Sequence, residues 1–228
     1  NLMAMLTQLR NFISKLRDKK DISTWDSYSI DNSYSEEEEN KKKSIVAKFL
    51  KKNNFDLVAD LGCNDGEYST LCLNNGCKRM IGFDFDINAI NKAYEKSLKR
   101  NLNFLPLYFD ATNPSANIGW FQNERKGFIE RTNFDAIIAL AFEHHLCIGK
   151  NIPLTDVIKW LVSLAPKGLI EFVPKNDETI KKMLEFKGDI FPNYTETYFE
   201  RCLSNNTEII SKDVVSNSKR TIYEYKRN

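Results

Sequence analysis

Apolar positions along the chain follow two rhythms. Short continuous runs fall within 55–61, 78–85, 103–109, 134–141 and 168–173. Such runs suit strands buried on both faces of a sheet. Between them, apolar residues recur at helical spacing: Ile87 to Lys99 is one stretch, and another carries Val157, Ile158, Leu161 and Leu164. Run and helix in alternation predict an α/β fold with a mainly parallel sheet. The ending differs. Residues 208–215 and 221–226 form a β pair around Ser216-Asn217-Ser218-Lys219, a hairpin signal.

Helix starts are also legible. Ser35 precedes Glu36 to Glu39 and reads as an N-cap with acidic residues in the first turn, opening a helix to about Lys52. Its buried stripe is Ile45, Val46, Phe49 and Leu50, and its Glu and Lys runs read as a solvated face with i,i+4 pairs such as Glu38 with Lys42. Asp86 caps the helix behind it, and Thr195 caps another around Tyr198 to Leu203. Residues 119–131 read as a helix, or helix plus loop, interrupted at Gly127. Pro106 places the third run at the sheet edge.

Ahead of these elements stand Leu2, Leu6, Leu9, Phe12, Ile13 and Leu16, an amphipathic helix. It suits docking on its own domain, on a second copy of the chain or on another partner; a membrane surface is the sharper alternative. Residues 21–35 are polar and turn-prone but carry Trp25, Tyr28 and Tyr34, which suggests a segment folded over something, such as a lid. The chain thus divides into a helical, lid-like part over 1–45 and one α/β domain over 46–228.

Composition narrows the classes. Lys and Arg number 33 against 31 Asp and Glu, a net charge of +2, so nucleic acid is not indicated by net charge. The five cysteines form no C-x-x-C and no metal-ligand spacing, which suits a reducing compartment. No apolar run reaches the about 20 residues of a membrane span. The expectation is a cytoplasmic protein.

The chemistry centres on 55–67, FDLVADLGCNDGE. A buried strand leads into a turn with Gly62 and Gly66, and a helix follows from Glu67. That arrangement builds a nucleotide-sized crevice at the carboxyl end of a parallel strand. A dinucleotide fingerprint read from Gly62 needs glycine at 64 and 67, where the chain has Asn64 and Glu67. The alternative, D-x-G-x-G-x-G, matches at Asp60, Gly62 and Gly66, with Asn64 for the middle glycine. An acid, Asp84, ends the second run; Asp110 ends the third; FDAIIA at 134–139 opens the fourth; Pro166-Lys167-Gly168 turns into the fifth.

In this order the markers resemble the class I S-adenosylmethionine-dependent methyltransferases. The series EHHL, IEFVPK and DIFPNYT is similar to a bacterial subgroup of methyltransferase-like proteins, some nodulation-linked. The resemblance implies a Rossmann-like three-layer sandwich with a seven-stranded sheet of order 3-2-1-4-5-7-6, ending in the antiparallel hairpin. It implies S-adenosylmethionine as cofactor, with S-adenosylhomocysteine as product. Asp60, Gly62, Asn64 and Gly66 would surround its amino-acid part, Asp84 the ribose and Asp110 the adenine, with Cys63, Phe85, Ala111 and Ala141 as further cofactor-binding residues. Ala141 would stand at the mouth of the fourth strand.

Beyond that strand lie Glu143, His144 and His145, with the only two histidines of the chain. An imidazole can take a proton near neutrality. His145 is expected as acceptor-side base, with His144 and Glu143 as alternates and no metal site. Asn113-Pro114-Ser115 follows the wrong strand for an amino-methylating motif, so oxygen is the favoured acceptor atom, on a small-molecule or glycan-like acceptor. Glu171, in an otherwise apolar run, is a further candidate. Two other readings stand beside this one: a catalytically silent methyltransferase-like binding module, and an NAD(P)-dependent reductase.

Overall fold

A computed structural model describes residues 1–16 and 35–228. The aromatic segment with Trp25, Tyr28 and Tyr34 lies outside the described residues. The elements run α1 (Leu2–Ile13), α2 (Glu36–Lys52), β1 (Leu57–Leu61), α3 (Glu67–Asn74), β2 (Arg79–Asp84), α4 (Ile87–Lys99), β3 (Phe104–Tyr108), α5 (Phe128–Arg131), β4 (Ala136–Ala139), α6 (Leu154–Leu164), β5 (Lys167–Phe172), α7 (Glu178–Lys187), α8 (Glu196–Ser204), β6 (Thr207–Val214) and β7 (Thr221–Arg227).

One seven-stranded sheet has the order β3-β2-β1-β4-β5-β7-β6. The first five strands pair in parallel, and β7 inserts antiparallel between β5 and β6. This order and hairpin are those expected of the methyltransferase fold. An antiparallel strand in that place does not fit the reductase reading.

Neighbouring residues of one strand serve two cores, because successive side chains point to opposite faces. Ala59, Ile137 and Ile170 join Leu161 and Phe199 from α6 and α8. Val58, Ile138 and Leu169 join Phe49, Cys72 and Ile90 from α2, α3 and α4. A three-layer sandwich results. The edge strand β3 carries Pro106, as expected, opposite Gly82 of β2.

Three local expectations change. Residues 119–131 hold only a 3₁₀ turn at 120–122 and the four-residue α5. Gly119, Phe121 and Gln122 have φ of 91°, 57° and 56°, which no right-handed helix accommodates. Lys42 is not on a solvated face: it is buried, and its Nζ lies 2.7 Å from Oε2 of the fully buried Glu171. Glu38 does not pair with it; the carboxylate accepts from the backbone N–H groups of Ser35, at 2.9 Å, and Asn217, at 2.6 Å. The apolar stripe of α1 is exposed throughout, with no residue buried. No described helix is long and apolar enough to cross a membrane.

Candidate functional site

The carboxyl ends of β1, β2, β3 and β4 open into a cavity of about 520 Å³. Its floor is the turn after β1. Gly62, Asn64 and Gly66 have φ of 79°, 47° and 80°. Only glycine enters this region without strain, and Asn is among the residues that tolerate it best. A Cβ on Gly62 would stand 3.0 Å from Phe142 Cδ2, and one on Gly66 would run into the Phe104 ring. Lys96 of α4 braces the turn through Asp65 at 2.8 Å.

Asp84 lies on the wall. Its Oδ2 accepts from the Asn64 N–H at 2.8 Å and its Oδ1 from the Asp86 N–H at 2.9 Å. Each oxygen is thereby fixed in direction and keeps a second lone pair for a hydroxyl donor. Burial raises this carboxyl above its ordinary value, against the pull of those two N–H groups. Asp110 faces the same space, its Oδ1 held by the hydroxyl and N–H of Thr112, which lower its pKa. Phe85, Ala111 and Ala141 complete the expected lining. Ala141 has φ of 50°, a strained conformation for a residue with a Cβ.

Other expected residues stand behind the wall. Asp60, Cys63 and Gly66 are not among those lining the cavity. Asp60 is buried and accepts from Ser69 Oγ at 2.6 Å. Burial pushes its carboxyl up to about 7, and Asp84 adds to this, while Ser69 and Lys42 act the other way. Asp60 thus stiffens the turn through α3. The Cys63 side chain packs against Gly82, and burial pushes its thiol up.

The pair of histidines separates as neighbours on an irregular turn do. His145 begins a π-helical turn, His145–Gly149, and lines the cavity. Glu143 and His144 are fully buried and do not line it. Glu143 accepts from the Tyr194 hydroxyl at 2.6 Å and the Val173 N–H at 3.2 Å, so this carboxylate is spent on holding three segments together. Burial, then His144 and Arg220, drive the His145 pKa well below 6.5. Its ring is a neutral acceptor or donor at pH 7. Glu171 is likewise no part of the cavity wall, being taken by Lys42.

Some lining was not anticipated. Lys150 and Met183 reach the cavity from the π-helical turn and from α7. Lys187 fastens these two elements, donating to the Ile148 and Gly149 carbonyls at 2.8 and 2.7 Å. Nothing in the sequence links 183 or 187 to this turn, because the contact is between elements distant in the chain. Among the described residues no group of His, Cys, Asp and Glu could hold a metal ion.

No family model matches the chain. Nodulation protein NoeA of Rhizobium meliloti strain 1021 is 45% identical over 226 residues, covering 99% of this chain and 48% of its own length. The chain therefore spans about half the length of that relative. Magnesium protoporphyrin IX methyltransferase (ChlM) of Synechocystis PCC 6803, solved with bound S-adenosylhomocysteine, superposes with a TM-score of 0.59 at 19% identity, covering 97% of this chain and 95% of its own. N-methyltransferase NodS of Bradyrhizobium japonicum WM9, in complex with S-adenosylhomocysteine, gives 0.61 at 14% identity, with 89% and 92% covered. The fold is that of the class I methyltransferases.

Proposed function

We propose that this chain binds S-adenosylmethionine and transfers its methyl group to a hydroxyl oxygen of a small-molecule or glycan-like acceptor. The observation that carries this reading is Asp84. Its two oxygens are aimed by the Asn64 and Asp86 N–H groups, on the wall of the cavity at the end of β2. One carboxylate so held can accept from both hydroxyls of a ribose. The cavity volume, about 520 Å³, lies within the range of small-molecule and cofactor sites. ChlM and NodS, which share the fold, were each solved with S-adenosylhomocysteine.

In this reading the backbone of Gly62 and Asn64 approaches the amino-acid part of the cofactor. Asp110 accepts from the adenine amino group, and Phe85 lines the same cavity beside Asp84. Bound S-adenosylmethionine supplies an electrophilic methyl on a sulfonium leaving group. The protein must align the acceptor and take its proton. His145 is the cavity-lining imidazole, neutral at pH 7, and receives the acceptor's hydroxyl proton. His144 and Glu143, fully buried, do not touch the acceptor.

Calorimetric titration with S-adenosylhomocysteine tests the cofactor reading, wild type beside Asp84→Ala. Each hydrogen bond to the charged group contributes about 1.5–3 kcal/mol, so the variant should bind at least about tenfold more weakly. No binding by folded wild type would sink the enzyme reading in favour of a silent binding module.

A further inference from the structure

Behind His145 lies a buried polar assembly that the proposed chemistry leaves without a role. The Tyr194 hydroxyl sits 2.6 Å from Glu143 Oε1 and 2.7 Å from the Val173 carbonyl oxygen. The Val173 N–H donates to the same Oε1 at 3.2 Å. The other oxygen, Oε2, faces His144 Nδ1 at 3.3 Å. Tyr194, Glu143 and His144 are all buried, His144 and Glu143 completely. The His144 ring then lies against His145, with centroids 4.2 Å apart and planes at 36°.

A buried carboxylate is costly unless its oxygens are met by donors. Here the donors come from the segment ahead of α8, from the end of β5 and from the next residue in the chain. A simple packing role would be filled more cheaply by an apolar side chain at 143. The arrangement does something an apolar group could not. A carboxylate only accepts, so the proton of a neutral His144 belongs on Nδ1. His144 Nε2 is then a bare acceptor, and no hydrogen bond to it is present among the described residues. One tautomer and one ring plane are selected, and that plane is the surface on which the His145 imidazole rests. In metal and acid–base sites, groups behind the reacting side chain often set its orientation in this way.

We propose that Glu143, anchored by Tyr194 and Val173, is a positioning residue that fixes the tautomer and plane of His144, and through it the ring of His145 at the cavity. The inference rests on the reading of His145 as the acceptor-side base, and it assigns Tyr194 and Glu143 to specificity of orientation rather than to contact with substrate.

The test is a long-range ¹H–¹⁵N correlation spectrum of the imidazoles in the folded full chain. There are only two histidines, so His145→Gln assigns both by difference. Wild type should show His144 protonated on Nδ1. In Glu143→Gln, whose amide can donate to Nδ1, the His144 proton should move toward Nε2 and the His145 ring signals should shift. Tyr194→Phe, which keeps the packing and removes one donor, should also shift the His145 signals, and it serves alone if Glu143→Gln does not fold. S-adenosylhomocysteine affinity in Tyr194→Phe should stay within about threefold of wild type, since the cofactor acids are separate from this assembly. A wild-type His144 proton on Nε2, or His145 signals unmoved by either variant, would overturn the proposal. Neither spectrum depends on cofactor binding, so failure of S-adenosylhomocysteine to bind wild type would strike the methyltransferase reading and not the tautomer.

Discussion

Two titratable residues near the cavity, the half-buried His145 and the buried Asp60, should oppose each other in pH dependence. His145 is held well below 6.5, chiefly by burial. As pH falls through that ordinary value, the unfolded chain takes up a proton that the native state refuses, so stability is lost on acidification. Asp60 is raised from 3.8 to about 7, chiefly by burial. Its contribution is complete below 3.8 and is lost as pH rises through about 7. Melting temperatures measured from about pH 5 to about pH 8 should separate the two. His145→Gln should gain on wild type toward acid, and Asp60→Asn should gain on wild type toward neutral pH. A constant offset across the range for either variant would mean that its group titrates alike in both states. Both residues were legible in the sequence as site candidates. That Asp60 sits behind the turn with Ser69, while His145 faces the cavity, was not, because it depends on side-chain direction.

At the level of elements, the junction between α2 and β5 rests on the Lys42–Glu171 pair at 2.7 Å, both side chains buried. Burial lowers the Lys42 pKa, and Glu171 acts against that. Removing one partner takes the hydrogen-bonded counterion from a buried charge, which costs about 3–5 kcal/mol, whereas replacing both with apolar groups is far milder. Lys42→Met and Glu171→Leu should therefore each destabilise strongly in urea denaturation, and the double variant should recover most of the loss. Additive losses in the double variant would show that the two residues act independently. The sequence marked Glu171 as an odd charge in an apolar run. It could not show that a lysine 129 positions away answers it. Its own local pattern made Lys42 one of a solvated run, and i,i+4 partners such as Glu38 were available. Burial against β5 outweighed that weak surface pairing, worth only about 0.3–0.5 kcal/mol.

At the scale of the whole molecule, the cavity is assembled from the ends of four strands, the π-helical turn and α7. A ligand that binds this assembly and not the unfolded chain must stabilise it. At about one hundred times its dissociation constant, S-adenosylhomocysteine adds about 2.7 kcal/mol, which for a domain of this size is roughly 5–10 °C in melting temperature. NADH at equal concentration should leave the transition where it is. A shift with NADH alone would restore the reductase reading.

The sequence by itself determined the order of strands and helices, the Gly-bearing turn, the caps at Ser35, Asp86 and Thr195, and the acids that end β2 and β3. These are written in local periodicity and local backbone demands, which neighbouring residues carry between them. Through resemblance it also led to the strand order and its closing hairpin. What only the tertiary structure decided are the matters that join distant positions. Glu143 is committed to Tyr194 and Val173, Lys42 to Glu171, and Lys187 to the turn beside Lys150. Of adjacent histidines, one faces the cavity and one is sealed behind it. Hydrogen bonds and burial of this kind depend on where the sheet brings separate segments together, and no spacing along the chain encodes that distance.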